Sequence, residues 1–380
     1  MGTNERGIHW EGPYSALPHP EPAEGRTDTF ATSMFNRICG GATMIRGTGS
    51  AFVFTFALLL TLAPSFAGSI TDATGRRVEI PAKVERVLPA GQPAAAIVYA
   101  LAPQKMLGWP RKPNAAGMAF LLPEVRELPE IGTLLREGKV NDAAIAAMKP
   151  DLIVDYGSLA PDYLEAAKEA QERTGVAYIV FDGALEKTPE LLRLLGPALG
   201  VVERSELLAA AAERILALTH ERAAERQRAG TMRFYYSRSD DGLSTATSVA
   251  HSTDVMRLLG LENVADGNPS ALPQVTREQV VAWNPDVILA PNAGFIKAFA
   301  APEWQGVAAV AAKRVFAAPR PPFGWIDEPP SLNRLLGLLW IGRLLYPAAY
   351  PEDLREEAKS FYRRFYQVEP SDAQLDGLLR

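Results

Sequence analysis

Two arginines that could hold an anion follow short apolar runs of the sequence, and a histidine stands at a predicted helix start. Arg238 comes directly after MRFYYS at 232–237, and Arg320 follows RVFAAP at 314–319. A guanidinium group pairs with carboxylates, catecholate-type oxygens and oxyanions through two parallel hydrogen bonds. His251 stands at a predicted helix start, where it either contacts a ligand or has a structural role. These residue types favour the binding of an anionic compound.

Other candidate contacts are amide and aromatic side chains. Ligands of parallel sheets bind beyond the carboxyl ends of the strands, so the residues after each predicted strand are the candidates. Trp109 and Trp325 either stack on a chelate or complete the core, and Arg238 either contacts the ligand or pairs with a nearby aspartate. The mixture suits a large, flat or anionic chelate better than a bare cation. The predicted ligand contacts are Gln92, Trp109, Arg111, Tyr156, Arg238, His251, Asn292, Arg320 and Trp325.

The residues needed for several other chemistries are missing. From residue 68 onward His220 and His251 are the only histidines, which argues against a bare zinc or manganese site. The same part of the chain has no G-x-S-x-G, H-E-x-x-H, P-loop or G-x-G-x-x-G motif. The net charge of -5 gives no basic footprint for nucleic acid. We therefore expect that the protein is not an enzyme and that it has no cofactor, no resident metal and no nucleic-acid partner.

The amino-terminal part predicts export. The apolar run at 51–63 has 13 residues, fewer than the roughly 20 that a membrane-spanning helix needs. Ser65 and Ala67 place small side chains where a signal peptidase cuts. Residues 1–67 are therefore expected to be an extension and signal peptide that are removed. Because Gly68 follows in place of an acylated cysteine, we expect a free periplasmic protein and not a lipoprotein.

A duplication indicates the domain organisation. Segments 140–156 and 275–291 repeat each other, each with a short helix, a proline and an apolar strand of the kind buried in parallel sheets. Segment 202–228 has no internal Gly or Pro and predicts one long helix. The fold class is therefore α/β, with parallel-sheet lobes at 68–201 and 229–380 joined by that single interlobe helix, and with a ligand cleft between them. Further strands are predicted at 86–90, 105–109, 177–182, 232–237 and 314–319.

Three features of the chain resemble periplasmic solute-binding proteins of the helical-backbone class. They are the segment at 70–88, the two P-D-[LV]-I motifs and the segment at 244–265. That class serves ATP-driven importers of iron–siderophore, haem and cobalamin. The resemblance covers about residues 69–365 and implies a monomeric substrate-binding component that delivers a chelated metal to an inner-membrane permease and its ATPase. An iron–siderophore is the favoured ligand.

Alternatives to that ligand remain open. Cobalamin, haem or an oxyanion such as molybdate could be held by the same arginine loops. A periplasmic enzyme or sensor on the same scaffold is a hypothesis of a different class.

The resemblance also implies that one acidic residue on each lobe meets arginines of the permease. Asp142 and Glu278 lie in the first turn of the two copies of the repeated helix, where the helix dipole tolerates negative charge. We expect these two residues to dock on the permease. The alternative is that they only favour their helix starts.

Overall fold

An antiparallel strand pair opens the part of the chain that the computed structural model describes, residues 66–135 and 142–379. β1 (Phe66–Thr71) pairs with β2 (Arg77–Pro81), in regular register from Gly68 onward. The Asp72 carboxylate accepts the N–H of Arg76 at 3.1 Å and closes the turn. This strand pair includes the first part of the segment at 70–88 that carries the family resemblance. The extension and the apolar run at 51–63 lie outside the described residues.

Two parallel sheets carry the two lobes. The first has the order β3-β4-β5, and the second has the order β7-β6-β8-β9. Central strands are buried on both faces, as the unbroken apolar runs predict. The strands are β3 (Val87–Pro89), β4 (Leu152–Gly157), β5 (Tyr178–Asp182), β6 (Arg233–Tyr236), β7 (Glu262–Asn263), β8 (Val287–Ala290) and β9 (Val315–Ala317).

The strand predicted at 105–109 does not form. Met106 makes one bridge to Val87, and Trp109 makes another to Glu130. The reason is that the backbone of Trp109 exchanges hydrogen bonds with the segment 129–131 and leaves the edge of the first sheet.

Helices pack between and around the sheets. None of the described helices is both long and apolar enough to cross a membrane. In chain order they are α1 (Gln92–Leu101), α2 (Ala115–Met118), α3 (Pro123–Arg126), α4 (Asp142–Met148), α5 (Pro161–Thr174), α6 (Thr188–Ala198), α7 (Val202–Glu221), α8 (Ala223–Ala229), α9 (Asp254–Leu258), α10 (Arg277–Trp283), α11 (Ala308–Ala311), α12 (Arg334–Leu345), α13 (Leu354–Phe361) and α14 (Asp372–Leu378), with single turns at Pro103–Lys105, Leu185–Lys187, His251–Thr253, Lys297–Ala300, Pro302–Trp304 and Tyr362–Tyr366.

The repeated segments fold alike. After α4 and α10 the chain turns at Lys149 and Asn284, which have left-handed φ angles of 47° and 45°. Two residues later, the carboxylates of Asp151 and Asp286 each accept a backbone N–H from the neighbouring strand segment, at 2.9 and 2.8 Å. Each sheet therefore ties two neighbouring strands together by the same device, β3 to β4 in the first and β6 to β8 in the second.

The helix between the lobes is broken, so the prediction of one helix over 202–228 is wrong. α7 ends at Glu221, and α8 begins after Arg222. The buried Arg226 guanidinium donates to the carbonyl of Thr219 at 2.6 Å and to the Tyr350 hydroxyl at 3.0 Å. The break is tolerated because a side chain replaces a backbone donor at the end of α7. α7 alone is still roughly 30 Å long.

The end of the chain packs back against the first lobe. The Tyr99 hydroxyl of α1 donates to the carbonyl of Tyr366 at 2.8 Å, and the two rings lie 5.5 Å apart. The rings of Trp109 and Phe323 are 6.2 Å apart. One apolar core thus contains residues of both lobes. The predicted boundaries assign all of 229–380 to the second lobe, and periodicity could not reveal this return.

Candidate functional site

Three polar side chains follow three neighbouring strands of the second sheet. Arg238 comes after β6, Asn292 after β8 and Arg320 after β9. The Asn292 amide and the Arg320 guanidinium both donate to the same oxygen of Glu328, at 3.0 and 2.7 Å. Arg238 lies 3.4 Å from the carboxylate of Asp327. The structure therefore brings the predicted residues together through two acidic residues that sequence reasoning missed.

Asp327 and Glu328 differ in how they are held. Asp327 is buried, and its carboxylate accepts the Tyr236 hydroxyl at 3.1 Å and the N–H of Glu328 at 2.7 Å. Burial and the neighbouring Asp327 charge both raise the pKa of Tyr236, so this hydroxyl stays a donor. The Glu328 side chain is 28% exposed, and its backbone has a left-handed φ of 61°.

Arg238 has donors to spare. The alternative pairing with a nearby aspartate does not occur at Asp241, whose carboxylate instead accepts the Ser239 hydroxyl and the N–H of Leu243. The Nε of Arg238 is buried and has no hydrogen-bond partner in the described part of the chain. A buried donor without a partner is rare in folded proteins and indicates a missing acceptor such as water or a ligand.

The two predicted stacking residues have no surface to offer a ligand. Trp109 and Trp325 are both 0% exposed. The indole N–H of Trp109 donates to the carbonyl of Val125 at 2.9 Å, and that of Trp325 lies 3.3 Å from the Tyr362 hydroxyl. Both rings are part of the core. They were predicted to contact the ligand, and their complete burial contradicts that prediction.

The first lobe supplies Gln92 and Arg111 to the same region. The Gln92 amide donates to the carbonyl of Arg111 at 3.1 Å, and Arg111 is exposed in the loop that leads to α2. A Cβ placed on Gly117 of α2 would lie 3.2 Å from the carbonyl oxygen of Pro322. α2, which follows the loop that carries Arg111, thus abuts the loop that carries Arg320.

A buried arginine joins the two lobes, and sequence reasoning did not single it out. Arg334, at the start of α12, is 0% exposed. Its guanidinium donates to the Tyr156 hydroxyl and the carbonyl of Gly183 in the first lobe, both at 2.7 Å. In the second lobe it donates to the Asp254 carboxylate at 2.9 Å and the carbonyl of His251 at 2.8 Å. Tyr156, predicted as a ligand contact, is buried here as a partner of Arg334.

His251 also connects the lobes. Its imidazole nitrogens lie 3.8 Å from Asp182 of the first lobe and 3.5 Å from Asp254 of the second. This placement supports the structural alternative for His251. Burial by itself raises the pKa of Asp254, but the hydrogen bond from His251, the charge of Arg334 and the N–H of Leu185 hold this pKa below its usual value. The Asp254 carboxylate is therefore ionised and pairs with the Arg334 guanidinium as an anion.

The predicted docking residues do not occupy equivalent positions. Asp142 is the first residue of α4, whereas Glu278 is the second residue of α10, after Arg277. Successive residues of a helix are about 100° apart around its axis. Glu278 is well exposed, at 74% of its side chain.

Comparison with known proteins gives a consistent picture. A family model described as periplasmic binding protein matches residues 110–322. The molybdate-binding protein MolA of Haemophilus influenzae is 24% identical over 326 residues, which cover 79% of this chain and 91% of that protein. The vitamin B12-binding protein of Pectobacterium carotovorum subsp. carotovorum is 27% identical over 169 residues, which cover 44% of this chain and 58% of that protein.

Solved structures share the fold. An ABC transporter solute binding protein from Sulfurospirillum deleyianum superposes with a TM-score of 0.75 at 27% identity, over 82% of this chain and 98% of that chain. The structure of MolA bound to molybdate superposes with a TM-score of 0.66 at 21% identity, over 80% of this chain and 99% of that chain.

The Arg334 network generates a test of stability. Arg334→Met should lower the free energy of unfolding by about 3 to 5 kcal/mol, because it leaves the Asp254 charge buried without its partner. Arg334→Met combined with Asp254→Asn should recover part of this loss. Urea denaturation measures both. Arg343 is an exposed arginine of the same helix and serves as the control. Arg343→Met should lower the free energy of unfolding by at most about 1 kcal/mol. An Arg334→Met protein as stable as the parent would contradict the assignment.

Proposed function

Because the chain belongs to the periplasmic binding protein family, whose members deliver solutes to ABC permeases, we propose that it captures an anionic, metal-containing solute between its lobes for import. The family implies a periplasmic location. The relatives are solute-binding proteins and not enzymes. The remaining questions are which solute it binds, how it meets the permease and how it is exported.

One observation carries the anionic character of the ligand. Arg238, Asn292 and Arg320 follow three adjacent parallel strands, and parallel sheets bind ligands at that end. The unpartnered Nε of Arg238 and the half-exposed guanidinium of Arg320 are donors that an oxyanion can accept from. Without a ligand, the carboxylates of Asp327 and Glu328 neutralise the positive charges of Arg238 and Arg320.

A compact oxyanion of the molybdate class is the first candidate. The sequence-based preference for a large chelate rested partly on Trp109 and Trp325, and both rings are buried in the core. What remains at the strand ends is a small set of hydrogen-bond donors from which a tetrahedral oxyanion can accept. The relative named for molybdate binding, MolA, matches most of the chain and supports the same choice.

An iron–siderophore complex, the ligand predicted from the sequence, is the second candidate. Gln92, at the start of α1, and the exposed Arg111 are first-lobe donors that could add to the donor surface for a larger catecholate complex. Haem and cobalamin fit less well, because the described tryptophans near the cleft offer no flat exposed face.

The ligand class is tested by calorimetry with purified protein. Molybdate, tungstate, sulfate, a ferric catecholate and cobalamin are titrated in turn, and we expect saturable binding of molybdate. Arg320→Ala and Arg238→Ala should each weaken it roughly ten- to hundredfold, the loss of one charge-assisted hydrogen bond. Arg343→Ala, which lies on α12, serves as the control and should bind normally. Unchanged affinity in both cleft variants would refute the site, whereas binding of the ferric catecholate alone would select the second candidate.

Docking on the permease is proposed for Asp142 and Glu278. Reversing either charge should abolish uptake and leave ligand affinity untouched, because charges at the rim of an interface mainly govern association with the partner. Transport assays and calorimetry on Asp142→Lys and Glu278→Lys separate the two effects. Glu165→Lys, an exposed acid on α5, is the control and should transport normally. Normal uptake by the Asp142→Lys and Glu278→Lys double variant would dispose of this role.

Export by signal cleavage is also part of the proposal. Cleavage after Ala67 would remove Phe66 and Ala67 from β1 and would leave the residues that pair in regular register, from Gly68 onward. Amino-terminal sequencing of periplasmic protein should read from Gly68. Ala67→Arg should accumulate the uncleaved precursor, since the peptidase needs a small residue there. Recovery of an acylated, membrane-bound form would contradict the expectation.

A further inference from the structure

The Glu328 side chain occupies the point where two donors of the cleft, Arg320 and Asn292, converge. We propose that its carboxylate is an internal anion that takes the position of a ligand oxygen and must leave it before the ligand binds. This inference rests on the proposed function, because it assumes an anionic ligand. It makes Glu328 a residue that sets affinity and selectivity.

The geometry is that of anion recognition. One oxygen of Glu328 accepts from the Arg320 guanidinium at 2.7 Å and from the Asn292 amide at 3.0 Å. Distances of this kind are typical of charge-assisted hydrogen bonds to a carboxylate or an oxyanion. Arg320 and Asn292 follow β9 and β8, so the carboxylate oxygen joins donors from two strand ends. An oxyanion oxygen offers these donors the same kind of acceptor.

Asp327 provides the contrast next to it. Its carboxylate is buried and accepts hydrogen bonds from Tyr236 and from the backbone. Moving the carboxylate would break these hydrogen bonds and leave its charge buried without partners. The hydrogen bonds described for the Glu328 carboxylate come from Arg320 and Asn292, and its side chain is 28% exposed. Water can therefore solvate the Glu328 carboxylate when it moves away from Arg320 and Asn292, so its displacement by a ligand costs little free energy.

The consequence is a built-in competition. A ligand must offer Arg320 an acceptor at least as good as a carboxylate, which a neutral solute does not. Only molecules in which Glu328 has left Arg320 and Asn292 can bind an anion. The apparent affinity for every anion is therefore reduced in proportion to the fraction of such molecules. Any anion bound beside an undisplaced Glu328 would also meet its negative charge.

The test removes the charge and keeps the shape. Glu328→Gln is chosen because Gln is nearly isosteric, whereas a larger change could disturb the left-handed backbone with φ of 61°. Calorimetry with sodium molybdate should show binding roughly three- to tenfold tighter than in the parent protein. Glu352→Gln removes a carboxylate that likewise holds an arginine, Arg222, but outside the cleft, and should leave the affinity unchanged.

The outcomes separate this inference from the proposed function. Tighter molybdate binding by Glu328→Gln, including binding that appears only in this variant, supports the internal anion. If the parent binds molybdate and Arg320→Ala weakens it, but Glu328→Gln binds equally or less well, the inference is overturned and the proposed function stands. If neither the parent nor Glu328→Gln binds molybdate, both are overturned for this anion. Matching thermal melting curves establish that the variants are folded.

Discussion

The buried Arg334 guanidinium is the interaction on which the arrangement of the two lobes depends. A fully buried cation requires several partners, and here they come from both lobes: Tyr156 and Gly183 on one side, Asp254 and His251 on the other. These partners are spread over distant parts of the sequence, so the side chain can be satisfied only when the lobes meet in one orientation. The strand ends that carry Arg238, Asn292 and Arg320 belong to the second lobe, whose position relative to the first lobe depends on the same requirement.

The cleft adds a second set of charges with a different purpose. Arg334 is saturated with acceptors, whereas Arg320 and Arg238 each have a carboxylate beside them and donors left over. Saturation gives rigidity, and spare donors give capacity for a ligand. Arg320 and Arg334 are close together in the sequence, and their surroundings decide which kind each one is.

Much of the fold followed from the sequence because it depends on local pattern. Apolar runs placed the central strands, and the repeat at 140–156 and 275–291 placed the equivalent turns. The long-range features were out of reach: Arg334 looks like an ordinary helix residue, and the break at Arg222 depends on Arg226 reaching Thr219 and Tyr350. Trp109 and Trp325 were assigned to the ligand because residue type alone does not reveal burial. The placement of Arg238, Asn292 and Arg320 after neighbouring strands could be predicted, because position after a strand is itself local; their role as ligand contacts stays a prediction.

The shared core also constrains how such a protein can evolve new specificity. Tyr99 of the first lobe packs on Tyr366 near the end of the chain, and Trp109 packs on Phe323, so recombination that exchanged a whole lobe between paralogues would have to re-match a core surface as well as a cleft. The loop after β9 is under the same demand, because its Phe323 and Trp325 belong to that core. Exposed loop residues such as Asp240 and Asp241, after β6, face no such demand. Diversification therefore disturbs the fold least when it exchanges exposed loop residues, and the duplicated scaffold beneath them can stay nearly constant while the solute changes.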